Sequence, residues 1–416
     1  MQGVIVIPEM RLLRPPEGGK ELLTREIAGV PLLLRVIATA KRAGMNSLLV
    51  IWPDSLDGTL WDTCSSSPLL RGIEITKLIT SCPFDPRKSS SWVSVAGSLK
   101  SQWLWLPWNW VTDKRALTEV ILSVGLPPAW DVPALITKRA AIDKANVRIV
   151  SDQKPEGVSI DSRRSVRKAE QLLVARSGKP SDGIYSRFNR LLCRPVVRWL
   201  THTRATPNHV TIGGLAVAIV AALMYARGIY AACVAGALLF FLSGLFDEAD
   251  GMLARIGFRE SAWGTWFEGF VDNATYLLVF TGITIGLYRQ RGRRELVYGL
   301  ALIAGCALSI LIIALQRRIS TAPDLPHEYA GRLNQLLESD SANPISRAVR
   351  QIHIFIKKGV AVHYVLIFTV VGALPLFLRL AALGANATWI LALYFNHRFF
   401  RRHHSRSAIE EVKTAA

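Results

Sequence analysis

The hydrophobic pattern of this chain changes character near residue 205. Before it, short β-rich runs (Val4–Ile7, Leu48–Trp52, Trp103–Leu106, Ala134–Thr137) alternate with helix-period stretches such as Pro31–Ala43 and Lys114–Val124. That order predicts an α/β layer domain over residues 1–150. Beyond it the apolar stretches lengthen. Six of them, near 209–227, 230–246, 272–288, 295–316, 359–378 and 381–397, are long enough or nearly so to cross a hydrocarbon core. They predict an all-α, six-helix transmembrane domain over 206–400. Residues 151–182 read as a polar, charged connection, with Arg163, Arg164, Arg167 and Lys168 ahead of the turn residues Ser177–Gly183. From Ile184 to His202, arginines 187, 190, 194 and 198 recur among Leu, Val and Trp. This predicts an amphipathic juxtamembrane helix over 183–205, lying on an anionic membrane surface. Residues 401–416 read as a basic tail.

Composition agrees with a membrane protein. The 416 residues carry a formal charge of +19 yet are 50% apolar, with pI near 10.1 and a mean hydropathy of +0.27. Such a basic, apolar chain implies cationic flanks around spans, and no zinc-knuckle, RNP-like or basic-heptad pattern points to nucleic acid. The five cysteines are scattered without a CxxC pair, so no disulfide framework is expected. The opening Met-Gln-Gly-Val-Ile-Val-Ile-Pro lacks the basic and long apolar regions of a signal peptide. Six crossings put both ends of the domain on one side, and the arginines of 187–204, 255, 259 and the tail make that side cytoplasmic. Arg289, Arg291, Arg293 and Arg294 dissent: either they make a local contact or the topology differs there. Eight of the twelve tryptophans fall before residue 150, and core packing is the expected use.

The chemistry concentrates between the second and third spans. Asp247, Asp250, Gly251 and Ala254 fall at i, i+3, i+4 and i+7, one face of a helix. Gly264, Glu268 and Asp272 fall at i, i+4 and i+8, one face of a second. Two facing helices would gather four carboxylates, which a site near the bilayer tolerates when cations hold them together. Hard oxygen ligands favour Mg²⁺, Mn²⁺ or Ca²⁺.

The spacing Asp-x2-Asp-Gly-x2-Ala-Arg-x8-Gly-x3-Glu-x3-Asp resembles the signature of the CDP-alcohol phosphatidyltransferase family, matching seven of its eight fixed residues. The exception is Glu268, where the family has Asp. Thr206-Pro207-Asn208-His209-Val210-Thr211 is similar to the family's string at the start of its first transmembrane helix. The resemblance covers about 180–400. It implies transfer of a phosphoalcohol from a CDP-alcohol to an acceptor hydroxyl with release of CMP, in phospholipid biosynthesis at the cell inner membrane. It implies a two-metal site of Mg²⁺ or Mn²⁺ on Asp247, Asp250, Glu268 and Asp272, with Asp272 also the general base. Thr206, Pro207, Asn208, His209, Gly251, Arg255 and Ser261 would contact the CDP-alcohol. The partners implied are that donor, a polar alcohol acceptor, membrane lipid and a second copy in a homodimer.

Plainer roles stand beside these. Arg255 and Arg259 serve equally as membrane anchors, Asn208 as a cap of the first span, Gly264 as a packing glycine and His363 as a polar group between helices. Glutamate at 268 adds a methylene, so its rotamer or backbone must adapt, with an altered Mg²⁺ against Mn²⁺ preference as the consequence. A catalytically impaired membrane scaffold is the alternative reading, and a transporter is disfavoured because the acids sit at span ends. In the front domain, Ala28–Ile37 with Ala43-Gly44 and Leu48–Ile51 is similar to the helix and second strand of sugar-phosphate nucleotidyltransferases. Their glycine-rich loop is replaced by Ile7-Pro8-Glu9-Met10-Arg11-Leu12, and only Asp113 lies near their metal aspartate, so an inactive, degenerate copy is expected.

Overall fold

The computed structural model describes residues 1–9, 20–81, 84–121, 133–137, 156–179, 183–320 and 358–395, with isolated positions between 335 and 349. The chain divides into two compact units. The first comprises Met1–Gly178, Arg194–Arg204 and Met252–Arg259, and the second Lys179–Cys193, Ala205–Gly251 and Glu260–Ala416.

The first unit is built on strands β1 (Gln2–Val6), β4 (Ser47–Pro53), β5 (Glu74–Thr80), β6 (Gln102–Pro107) and β8 (Ala134–Thr137), in sheet order β5-β4-β1-β6-β8. The pairs β5/β4, β4/β1 and β1/β6 are parallel, and β8 closes the edge antiparallel to β6. The central strands β1 and β4 are buried along their whole length, as unbroken apolar runs between crossovers require. The helix expected over Pro31–Ala43 is α2 (Leu32–Arg42), following α1 (Lys20–Thr24) and the hairpin of β2 (Glu26–Ile27) and β3 (Val30–Pro31). Trp92, Trp103 and Trp105 pack in one cluster with Val4, Leu49 and Ile51, Trp105 edge-on to Trp92, so these tryptophans are core. Among the elements the sequence pattern did not show are β5 and α3 (Gly58–Ser65), which Asp57 caps by accepting from Thr59 N. Helices α4 (Ser89–Ser94) and α5 (Lys114–Ile121) complete the layer.

The segment 151–182, expected as a connection, carries ordered structure of the first unit. Strand β9 (Val158–Ser159) pairs with β7 (Trp110–Val111), and α6 (Arg163–Arg176) buries Val166, Ala169, Leu173 and Val174. Its arginines occupy the other face, which is why the stretch reads as polar. The amphipathic helix is present as α7 (Ile184–Leu200), with Ile184, Phe188, Leu191, Val196 and Trp199 exposed along it.

The second unit is helical: α8 (Pro207–Ala226), α9 (Tyr230–Ile256), α10 (Ala262–Arg291), α11 (Arg293–Ser320), α12 (Lys358–Val370) and α13 (Leu374–Phe395). Five of these, all but α12, are long and apolar enough to cross a membrane, and α12 contributes a shorter apolar stretch, Val360–Val370. Among the described residues the six-span expectation is thus met in part, by five candidate spans and this shorter apolar helix. The fifth expected boundary moves. The expected span 359–378 is broken at Gly372, whose φ of +76° ends α12 before α13 begins at Leu374. Helices α8 and α10 approach backbone to backbone at Gly282 and Gly286, where a Cβ would lie 2.3 Å from Ala222 O and 2.1 Å from Tyr225 O. Phe240, Val279, Ile283, Val365 and Leu378 fill the core between helices. The dissenting arginine loop has the local contact: Arg289 Nη1 donates to Ala226 O at 2.8 Å, and beside it buried Glu295 pairs with Arg379. The basic tail 401–416 and the loop residues Met10–Leu12 lie outside the described residues.

Candidate active site

Helices α9 and α10 do not stop at the hydrophobic boundary. The second apolar run continues as helix to Ile256, and the third begins as helix at Ala262, so each acidic face rides on an extension of a span. Ser261 caps the start of α10, its Oγ accepting from Gly264 N at 3.0 Å. A Cβ at Gly264 would sit 3.0 Å from that Oγ, which gives the glycine a place in the cap and not a ligand contact.

This geometry brings Asp247, Asp250 and Glu268 together, with one carboxylate oxygen of each within 4.8 Å of the others. Asp272, one turn past Glu268, lines the same cavity as Asp247 and Asp250. The cavity holds about 80 Å³ and is lined also by Ser243, Thr275, Tyr276 and Val362. Carboxylates this close repel one another and stay together at little cost only with positive charge among them. Oxygen-only ligands on two rigid helices fit a hard divalent cation, and Glu268 reaches the group despite its extra methylene. Asp250 is buried, and its Oδ2 accepts from Thr211 Oγ1 at 2.5 Å. Such a hydrogen bond fixes the orientation of a metal-ligating carboxylate. Thr211 is the last residue of the Thr-Pro-Asn string, so the motif itself carried this signal. A second neighbour was missed: on α7, Arg190 Nε bonds Glu248 Oε2 at 2.8 Å, beside the cluster. Three residues on, Cys193 Sγ donates to Leu245 O, and burial, with Glu248 nearby, pushes the thiol up to about 12.

The expected donor-side residues divide. Thr206 is the N-cap of α8: its Oγ1 accepts from His209 N at 3.3 Å, and His209 Nδ1 accepts from Thr206 N at 3.4 Å, with Pro207 in the first turn. The cap assigned to Asn208 thus belongs to Thr206, because a hydroxyl before proline matches the capping geometry. Gly251 follows Asp250 on α9. Arg255 falls in the first unit, where its Nε donates to Ser177 O at 2.5 Å and its carbonyl accepts from Arg42. His363 packs its ring against Tyr185 and Phe241, at 5.0 and 5.4 Å. In the front domain, Asp113 pairs with Arg176 at 3.0 Å.

Carboxylates converging where two long apolar helices extend past their apolar runs form an arrangement suited to holding a divalent cation. Residues 204–394 match the family model for CDP-alcohol phosphatidyltransferase. The chain is similar to archaetidylinositol phosphate synthase of Methanothermobacter thermautotrophicus, 34% identical over 98 residues. That match covers 22% of this chain and 49% of the relative, so the chain spans about half the length of the curated relative it matches.

Proposed function

We propose that this chain is an integral-membrane CDP-alcohol phosphotransferase of phospholipid biosynthesis. It moves a phosphoalcohol from a CDP-alcohol to the hydroxyl of a polar alcohol and releases CMP. The observation that carries this reading is the convergence of Asp247, Asp250 and Glu268 within 4.8 Å inside the matched domain. Asp247, Asp250, Glu268 and Asp272 would hold Mg²⁺ or Mn²⁺, which supplies charge neutralisation for the diphosphate. Asp272 accepts the proton of the attacking hydroxyl. The new P–O bond forms as the bond to CMP breaks, and CMP leaves with the electron pair. Thr211 keeps Asp250 oriented through the process. Thr206–His209, Gly251, Arg255 and Ser261 contact the donor.

The relative's name, with inositol phosphate in it, favours a phosphorylated polyol as acceptor. The site and both termini face the cytoplasm across a cell inner membrane, with α7 on its anionic surface and a second copy completing a homodimer. The front domain is an inactive nucleotidyltransferase relative. Its mostly parallel sheet supports that likeness, and the pairing of Asp113 with Arg176 supports its loss of a metal role.

The test uses the purified full-length chain with Mg²⁺ or Mn²⁺ and a matrix of CDP-alcohols and acceptors. CMP release from at least one pair, lost in Asp272→Asn, is the expected result. No CMP from any pair would refute the assignment.

A further inference from the structure

Asn189 stands on α7, outside both acidic helices, yet it lines the same cavity as Asp247, Asp250 and Asp272. It is only 5% exposed, and its Oδ1 is buried with no hydrogen-bond partner among the described residues. A buried amide oxygen left without a donor is costly, so a native site that keeps one is built for something that enters it. The helix face is fixed. Arg190 is bonded to Glu248 at 2.8 Å, and Cys193, one turn beyond Asn189, bonds the Leu245 carbonyl at 3.2 Å.

Among the described residues no side chain of the walls donates to it. Ionised carboxylates only accept hydrogen bonds, Thr211 gives its proton to Asp250, and Ser243 gives its proton to Gly214 O at 2.9 Å. Phosphates of a CDP-alcohol are acceptors as well. A substrate hydroxyl is the group that satisfies an amide oxygen here. The nucleotide end of the donor has its own proposed contacts at Thr206–His209 and Gly251, which leaves the acceptor alcohol.

We propose that Asn189 is a binding residue for the acceptor: its Oδ1 takes a hydrogen bond from a hydroxyl of the polyol other than the one that attacks. The juxtamembrane helix is then a wall of the acceptor subsite as well as a membrane anchor. This rests on the transferase reading above.

The experiment measures initial rates of CMP release by the full-length chain in lipid nanodiscs, varying acceptor and CDP-alcohol separately. Asn189→Leu and Asn189→Ala should each raise the acceptor KM roughly ten- to hundredfold, leaving the donor KM near that of the wild type. Asn189→Gln keeps a neutral amide oxygen and should stay nearer the wild-type acceptor KM than either. An unchanged acceptor KM in the Leu and Ala variants, or a rise confined to the donor KM, overturns the proposal. So does an equal loss in the Leu, Ala and Gln variants, which marks a structural role. A wild type that releases no CMP refutes the transferase reading and this proposal with it. An active wild type with an indifferent Asn189 refutes only this one.

Discussion

In the front unit Asp113 and Glu170 sit against the chain's own basic side chains. Asp113 meets Arg176 at 3.0 Å, and Glu170, 3% exposed, has His202 at 3.4 Å and Arg198 at 3.8 Å while accepting from Ala28 N. The membrane helices treat two acids the same way, pairing Glu248 with Arg190 and Glu295 with Arg379. Asp247, Asp250 and Glu268 also converge on one another. The difference separates acids that hold the fold together from acids whose arrangement serves a ligand. An arginine pair satisfies one carboxylate and stops there. Convergent carboxylates store repulsion that a divalent cation relieves.

The contrast breaks most visibly at the cluster. Asp250→Asn should lower CMP release by about three orders of magnitude while leaving the thermal midpoint near the wild type, since it removes a ligand and not a packing group. In the front unit the effect should reverse. Trp103→Ala opens a cavity beneath the sheet and should cost about 3–5 kcal/mol of that unit's stability, read as a lower thermal midpoint, with the metal dependence of CMP release unaltered. Thr211→Val tests the hydrogen bond that orients Asp250. Without the hydroxyl that holds Asp250, the Mg²⁺ concentration for half-maximal CMP release should rise roughly tenfold, and an unchanged value would sever Thr211 from the site. Glu268→Asp should shift the ratio of Mg²⁺- to Mn²⁺-supported rates by about a few-fold. Equal ratios in both proteins would remove any role for the extra methylene. Smallest of all, Cys193 should resist alkylation in the folded protein at neutral pH, because burial with Glu248 nearby pushes its thiol up to about 12 and so keeps it protonated.

Much of the site was legible because helical spacing is rigid. Asp247 and Asp250, like Glu268 and Asp272, are separated by one turn, so the faces followed from residue numbers alone. What spacing could not supply was depth. The apolar run that defines a span ends before the helix does, so α9 and α10 extend beyond the runs at 230–246 and 272–288. Gly372 shows the converse: one positive-φ residue inside an unbroken apolar stretch divided a predicted span. In the front unit, β1, β4 and β6 announced themselves as apolar runs. Edge strand β5, Glu74-Ile-Thr-Lys-Leu-Ile-Thr80, is half exposed and was hidden by its polar positions. Helix α6 was masked by arginines on its solvent face. Asn189 left no sequence signal, since only packing reveals that an amide on an amphipathic helix is turned inward.

The most direct test of the metal centre is a Mn²⁺ titration of the purified full-length chain, followed by electron paramagnetic resonance of free Mn²⁺. The account predicts saturable binding by the wild type, competed by Mg²⁺ and abolished in the Asp247→Asn/Asp250→Asn double variant. Equal Mn²⁺ uptake by a folded double variant would contradict it.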